Sequence, residues 1–231
     1  MGQVGVLLRG ETASLRAWSE RWEWRRLLLH VAVVVAGAGL YGAAMGCWRD
    51  PWQALFVAIK LPLIVLLTAI GNALLNGMLA PLLGVNIPFR QSFLAIVMSF
   101  AIASAILGSF SPLIAFLVWN APAMSPDFRV SGGAYSFIML THVGVIAFAG
   151  VAANLRLLRL LRELAGNPGA AHRVLCAWLI GNLFLGSQLS WILRPFIGSP
   201  TLPVQFLREH PLDGNFYEAV FRSAAHLWNS H

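Results

Sequence analysis

Five long apolar segments, roughly Leu27–Gly46, Ala54–Leu79, Phe93–Trp119, Tyr135–Ala153 and Val174–Leu193, contain none of the chain's nine carboxylates. Each holds about 20 residues or more, enough for a helix rising 1.5 Å per residue to cross a hydrocarbon core of about 30 Å. Inside lipid every backbone N–H and C=O must be bonded within the protein, and for isolated apolar segments of this length that means helix. The expected fold is therefore all-α, a polytopic transmembrane helical bundle of about five spans. Composition agrees: a chain that is 58% hydrophobic and 11% charged carries too few charges to cover a soluble surface. Spans without acids also argue against a proton- or cation-coupled pump built on membrane carboxylates.

The net charge of +7 raises nucleic acid as a partner, but the basic residues gather at segment ends and so report topology instead. Arg9, Arg16, Arg21, Arg25, Arg26, Arg90, Arg156, Arg159, Arg162 and Arg173 fall on one side of the expected bundle. Arg49, Arg129, Arg194, Arg208 and Arg222 fall on the other, and Lys60 lies within a segment. A bias of ten to five places the N-terminus in the cytoplasm and, after five spans, the C-terminus outside, in a bacterial inner membrane. Pro62 leaves open whether the second segment spans fully or is broken into a re-entrant half.

Residues 1–26 do not read as a signal peptide, since the apolar run after them is too long for one. Leu15, Trp18 and Trp22, with charged residues interleaved, predict a cytoplasmic interfacial helix that anchors the first span. Residues 27–195 form the expected bundle, and 196–231 an extracytoplasmic tail. There Pro200, Pro203 and Pro211 mark a turn-rich path, and Asn215 with Glu218 forms a capping-box variant opening a short amphipathic helix. That helix is expected to lie on the bilayer or cap the bundle's outer mouth.

Polar residues within the spans are the candidate functional positions. In the second segment Lys60, Ile64, Thr68, Asn72 and Asn76 recur every four residues, which puts them in a slowly drifting stripe on one helix side. The fifth segment repeats the pattern with Trp178, Asn182, Gly186, Ser190 and Arg194, and Gln188 adds another amide. An amide facing lipid is left unsatisfied, so both stripes should face other helices, in dry interhelical hydrogen bonds, or line a water-filled path. A charge at the bilayer centre costs about 2.5–3.5 kcal/mol, and Lys60 is read as snorkelling to the outer headgroups. Arg194, just before Pro195, can engage a carboxylate, a lipid phosphate or exposed helix carbonyls with its planar fork. His142, beside Thr141, reads as a packing residue before it reads as a base or ligand. Ala38, Gly42 and Gly46 form a small-residue line suited to close helix approach, as does Gly186 in the fifth segment.

The sequence holds no HExxH, GxSxG or Walker loop and no Cys, His and Asp cluster at metal-ligand spacing, so neither catalysis nor a cofactor or metal is expected. Cys47 and Cys176 fall at opposite ends of the bundle, too far apart for a disulfide. No internal repeat relates the two halves, which removes the best sequence pointer to a secondary transporter.

The run Gln188-Leu-Ser-Trp-Ile-Leu-Arg-Pro-Phe-Ile-Gly-Ser-Pro200, with Tyr41-Gly-Ala-Ala-Met-Gly46 and Ile59-Lys-Leu-Pro-Leu63, resembles an uncharacterised family of bacterial multi-pass membrane proteins. The similarity covers most of the chain. Some relatives carry an actin-binding WH2 label, but this chain lacks the short amphipathic helix followed by an LKK-type motif which that label requires. The helical layout is also loosely similar to Yip1-type membrane proteins, which implies membrane organisation. Neither resemblance supplies catalytic residues. The expected function is a non-enzymatic structural or scaffolding subunit of a membrane assembly, partnered by the bilayer and by other membrane subunits or further copies of itself, without nucleic acid. The alternative is an oligomeric channel or carrier for an ion or small solute, with the amides lining its path.

Overall fold

The computed structural model of the chain describes residues 24–82, 88–124, 128–165, 168–199 and 202–229. Among them the chain forms six helices: α1 (Trp24–Gly46), α2 (Pro51–Leu82), α3 (Phe89–Trp119), α4 (Phe128–Ala165), α5 (Pro168–Ile192) and α6 (Phe216–Asn229). The first five are long and apolar enough to cross a membrane. The chain is an all-α, multi-pass membrane protein. The interfacial helix expected from Leu15, Trp18 and Trp22 lies outside the described residues, while Trp24 to Arg26 already belong to the first span.

Short connections make successive spans antiparallel. The neighbours of α1 are α2 and α3; α3 packs on α4, and α5 closes the ring by packing on both α2 and α4. Glycine makes the tightest of these contacts possible. A side chain at Gly37 would collide with the Ser104 carbonyl of α3, and a Cβ on Gly108 would sit 2.9 Å from the Gly37 Cα. A Cβ at Gly42 would come within 2.5 Å of the Val57 carbonyl oxygen, and one at Gly46 within 2.7 Å of the Ala54 Cα. The Gly42–Gly46 spacing is thus used inside the protein, to bring α1 onto α2.

Two apolar clusters fill the bundle. One lies at the Trp24 end, where Leu157 and Leu161 of α4 meet Ala170, Ala171 and Val174 of α5. The other lies at the Arg194 end, where Tyr41, Val57, Ile114, Ile138 and Ile197 come together. Ile197 falls in the segment that sequence assigns to the tail, yet it is a core residue, so the bundle continues past Pro195. The question left open at Pro62, the end of the fourth span and the seat of the tail helix each have a clear physical answer. α2 runs unbroken from Pro51 through Pro62 to Leu82, because a proline inside a span costs a hydrogen bond but neighbouring helices can hold the helix together. α4 does not stop near Ala153 but continues to Ala165; at 38 residues it rises about 57 Å, well beyond one hydrocarbon core. Its extension stays helical because Ala153, Leu157 and Leu161 form a buried stripe four residues apart, leaving Arg159 and Arg162 exposed. Finally, α6 packs on α4 and α5. Asn215 Oδ1 accepts the Glu218 N–H at 2.9 Å and caps it. The Ser223 hydroxyl donates to Met139 Sδ, and the Tyr217 hydroxyl reaches the Leu183 carbonyl.

Candidate functional site: the polar seam between α2 and α5

The two polar stripes meet. Because α2 and α5 are antiparallel, residues whose numbers sum to nearly the same value lie opposite each other: Thr68 faces Gly186, Asn72 faces Asn182, and Lys60 reaches Pro195. At the centre, Asn72 Nδ2 donates to Asn182 Oδ1 at 2.6 Å and, more weakly, to the Trp178 carbonyl at 3.4 Å. This close approach requires Gly181, where a Cβ would lie 2.8 Å from Asn72 Oδ1. Gly186 is less constrained, since a Cβ there would meet only Thr68 atoms at 3.8 Å, an ordinary contact. The Thr68 hydroxyl is buried without a hydrogen-bond partner among the described residues. Ser190 is half-buried further along α5, and Gln188 is exposed, because six residues from Asn182 carry it about 240° around the helix and off the seam. The Asn76 side chain lies outside the described residues.

Lys60 does not snorkel. It is 0% exposed, and its ammonium donates to the Pro195 carbonyl at 3.1 Å. It also lies 4.9 Å from the centroid of the Phe206 ring and 5.9 Å from that of Phe196, within cation–π range. Gln53, seven residues earlier on the same helix face, is equally buried and donates from Nε2 to the carbonyls of Pro195 and Phe196, at 2.8 and 2.9 Å. The start of α2 therefore holds the loop that follows α5 by its backbone. Sequence reasoning passed over Gln53, although an i, i+7 extension of the Lys60 stripe would have found it.

Arg194 closes the seam. Its guanidinium stacks 4.0 Å from the centroid of the Trp191 ring. One terminal nitrogen, Nη1, donates to the carbonyls of Trp191 and Pro211 at 2.9 and 2.7 Å; the other, Nη2, donates to those of His210 and Asp213 at 3.1 and 2.8 Å. Trp191 Nε1 also donates to the Asp213 carbonyl, at 2.8 Å. Of the acceptors open to Arg194 by sequence, backbone carbonyls take up the fork, and three of the four belong to the tail. Gly214, at φ +77°, lets the chain turn against Trp191, whose ring would lie 2.9 Å from a Cβ.

His142 lies apart from this seam, in α4, and pairs with α1: its Nδ1 and the Tyr41 hydroxyl are hydrogen-bonded at 2.9 Å, with both side chains buried. Its Nε2 is buried with no hydrogen-bond partner among the described residues. Thr141 is turned back on its own helix, donating to the Phe137 carbonyl at 2.8 Å. A phenol in mid-span needs a polar partner, and that was the signal for Tyr41.

The arrangement can hold helices and a loop in register; among the described residues it presents no nucleophile–base pair along the seam. No group of three or more His, Cys, Asp or Glu placed to hold a metal occurs among the described residues. Compared with known proteins, the chain matches no family model, no curated protein and no solved structure.

Proposed function

We propose that this is a non-enzymatic structural or scaffolding subunit of a membrane assembly, set in a bacterial inner membrane with its N-terminus in the cytoplasm and its partners in the bilayer. The direct 2.6 Å bond between Asn72 and Asn182 carries this reading, because an amide that donates straight to the one opposite needs no water bridging α2 and α5 at that point. A bundle closed by its own polar groups keeps its exterior for neighbours. Ile180, Leu183 and Phe184 on the outer side of α5 are exposed, as are Phe137, Phe148 and Val151 on α4, and these faces meet lipid or other subunits.

Replacing Asn72 or Asn182 with leucine is the test, on purified protein in detergent and in liposomes. In a dry seam each change strands the partner amide and lowers stability by about 0.6–2 kcal/mol, read as a lower thermal midpoint without any change in liposome flux. Selective flux of an ion or solute that falls in these variants at an unchanged midpoint sinks the scaffold reading in favour of a pore.

A further inference from the structure

The helix α6 has a second apolar side that the rest of the protein does not cover. At about 100° per residue, three rows of side chains run along it, each turned about 100° from the one before. Phe216, Val220 and Ser223 form the first and are half-buried, where α6 packs on α4 and α5. Tyr217, Phe221, Ala224 and Trp228 form the second and are all exposed, Tyr217 at 54%, Phe221 at 74% and Trp228 at 85%. Glu218 and Arg222 lie on the third, paired with each other at 2.8 Å. A surface helix in water needs one apolar side, turned to its own core, whereas here a row of aromatic rings faces away from the protein.

Two contacts fix where that row points. The Tyr217 hydroxyl, from the exposed row itself, donates to the Leu183 carbonyl at 3.4 Å. Leu183 stands nine residues before the end of α5, about 13 Å along the helix. Ser223, on the first row, donates to Met139 Sδ at 3.4 Å, and Met139 stands six residues inside the fourth span, about 9 Å along it. α6 therefore lies against the flanks of two spans, below their ends, with its aromatic row turned toward the middle of the bilayer. The row continues the outward sides of those spans, where Phe137 on α4 and Leu183 and Phe184 on α5 are each more than half exposed.

We propose that α6 is inserted in the leaflet at the Arg194 end, with Tyr217, Phe221 and Trp228 packed against acyl chains and Glu218 and Arg222 turned to the headgroups. Tyr and Trp at the two ends of the row suit the boundary between these regions, where an apolar ring with a polar edge is best placed. Because Glu218 and Arg222 neutralise each other, the surface fits the acyl region of any phospholipid and does not select an anionic headgroup, unlike the Lys- and Arg-rich helices that bind charged membranes. Arg194 and Trp191 set the entry point, since both hold the Asp213 carbonyl just before α6 begins. This surface goes beyond the scaffold reading and does not rest on it, for it needs only that α4 and α5 cross the bilayer.

The experiment uses the full chain with Cys47→Ser and Cys176→Ser, reconstituted in liposomes and carrying one nitroxide-labelled cysteine at a time. Ala224→Cys and Phe221→Cys report the aromatic row, Arg222→Cys the polar row, and Val151→Cys an exposed position within the fourth span. Labels on the aromatic row should collide with oxygen, which concentrates among acyl chains, as readily as the label at position 151, and should be shielded from a water-soluble nickel chelate. The label at position 222 should show the opposite preference.

Collisions with the chelate as frequent on the aromatic row as at position 222 would put the row in water and overturn the proposal. Shielding from both reagents would mean that protein covers it, with spin–spin broadening marking a second copy, and would overturn it equally. The preferences should be the same in vesicles of phosphatidylcholine alone and in vesicles with added phosphatidylglycerol. Insertion seen only with phosphatidylglycerol would overturn the assignment to acyl chains.

Discussion

At the scale of single residues, the two cations near the end of the seam divide the work by geometry. Lys60 offers a point charge to one carbonyl and two ring faces, a task an ammonium on a flexible stem can meet. Arg194 instead spans four carbonyls with two nitrogens while lying flat on Trp191, which requires a rigid planar fork. Arg194→Lys should therefore release the tail at Pro211 and Asp213, and lower stability by about 1–3 kcal/mol. Thermal unfolding and limited proteolysis after residue 202 check this together, and a lysine variant as stable and as resistant as the parent reduces Arg194 to an interfacial anchor. The special position of Arg194 was legible, since an arginine before a proline at the end of a span has few other uses. The identity of its acceptors was not, because they come from residues 16 to 19 positions onward, and no local pattern encodes where an irregular tail turns back. The burial of Lys60 was hidden for a similar reason: stem length permits snorkelling, and only the path of the loop after α5 supplies a nearer acceptor.

At the scale of elements, lipid simplifies the reading and also limits it. Bilayer thickness sets a minimum length that a hydropathy pattern reveals directly, so all five spans were visible in the sequence. The extension of α4 was missed because beyond Ala153 the relevant pattern is amphipathic. Leu157 and Leu161 carry it at a spacing of four, between arginines that depress the average. Helix approach is governed by smaller marks. The pair Gly42 and Gly46 was legible as a spacing, whereas the mutual contact of Gly37 and Gly108 joins two helices about 70 residues apart and leaves no periodic trace. Gly37→Ala should push α1 away from the Ser104 carbonyl and cost about 1–3 kcal/mol, the usual penalty for overpacking. Gly144→Ala meets nothing within 4 Å and should be neutral or slightly stabilising. Thermal midpoints of the two variants, measured side by side in one detergent, separate a packing requirement at Gly37 from a general intolerance of alanine; equal midpoints would show that α1 and α3 can part without loss.

At the scale of the whole molecule, the bundle has two unlike ends. The Trp24 end carries Arg25, Arg26 and Arg90 and the helical extension with Arg156, Arg159 and Arg162, whose guanidinium donates to His172 Nε2 at 3.1 Å. The Arg194 end is built from a folded loop, a clasped tail and α6, with Arg194 turned into backbone carbonyls and Arg222 paired with Glu218 at 2.8 Å. Cytoplasmic retention of positive charge acts on arginines close to the spans, and those of the Trp24 end are the more numerous. The expected orientation therefore puts the Trp24 end in the cytoplasm and Cys47 outside. Cys47 is exposed at the far end of α1, which makes it a native probe. In intact cells or oriented vesicles, a chain with Cys176→Ser should react at Cys47 with a membrane-impermeant maleimide. A chain with Cys47→Ser, Cys176→Ser and Arg159→Cys, whose only thiol stands on the exposed extension of α4, should react only after the membrane is permeabilised. Reversed accessibility overturns the orientation and leaves the fold intact. Accessibility of both positions from one side overturns the five-span topology itself, since position 47 precedes the second span and position 159 follows the fourth, and an odd number of crossings must separate them.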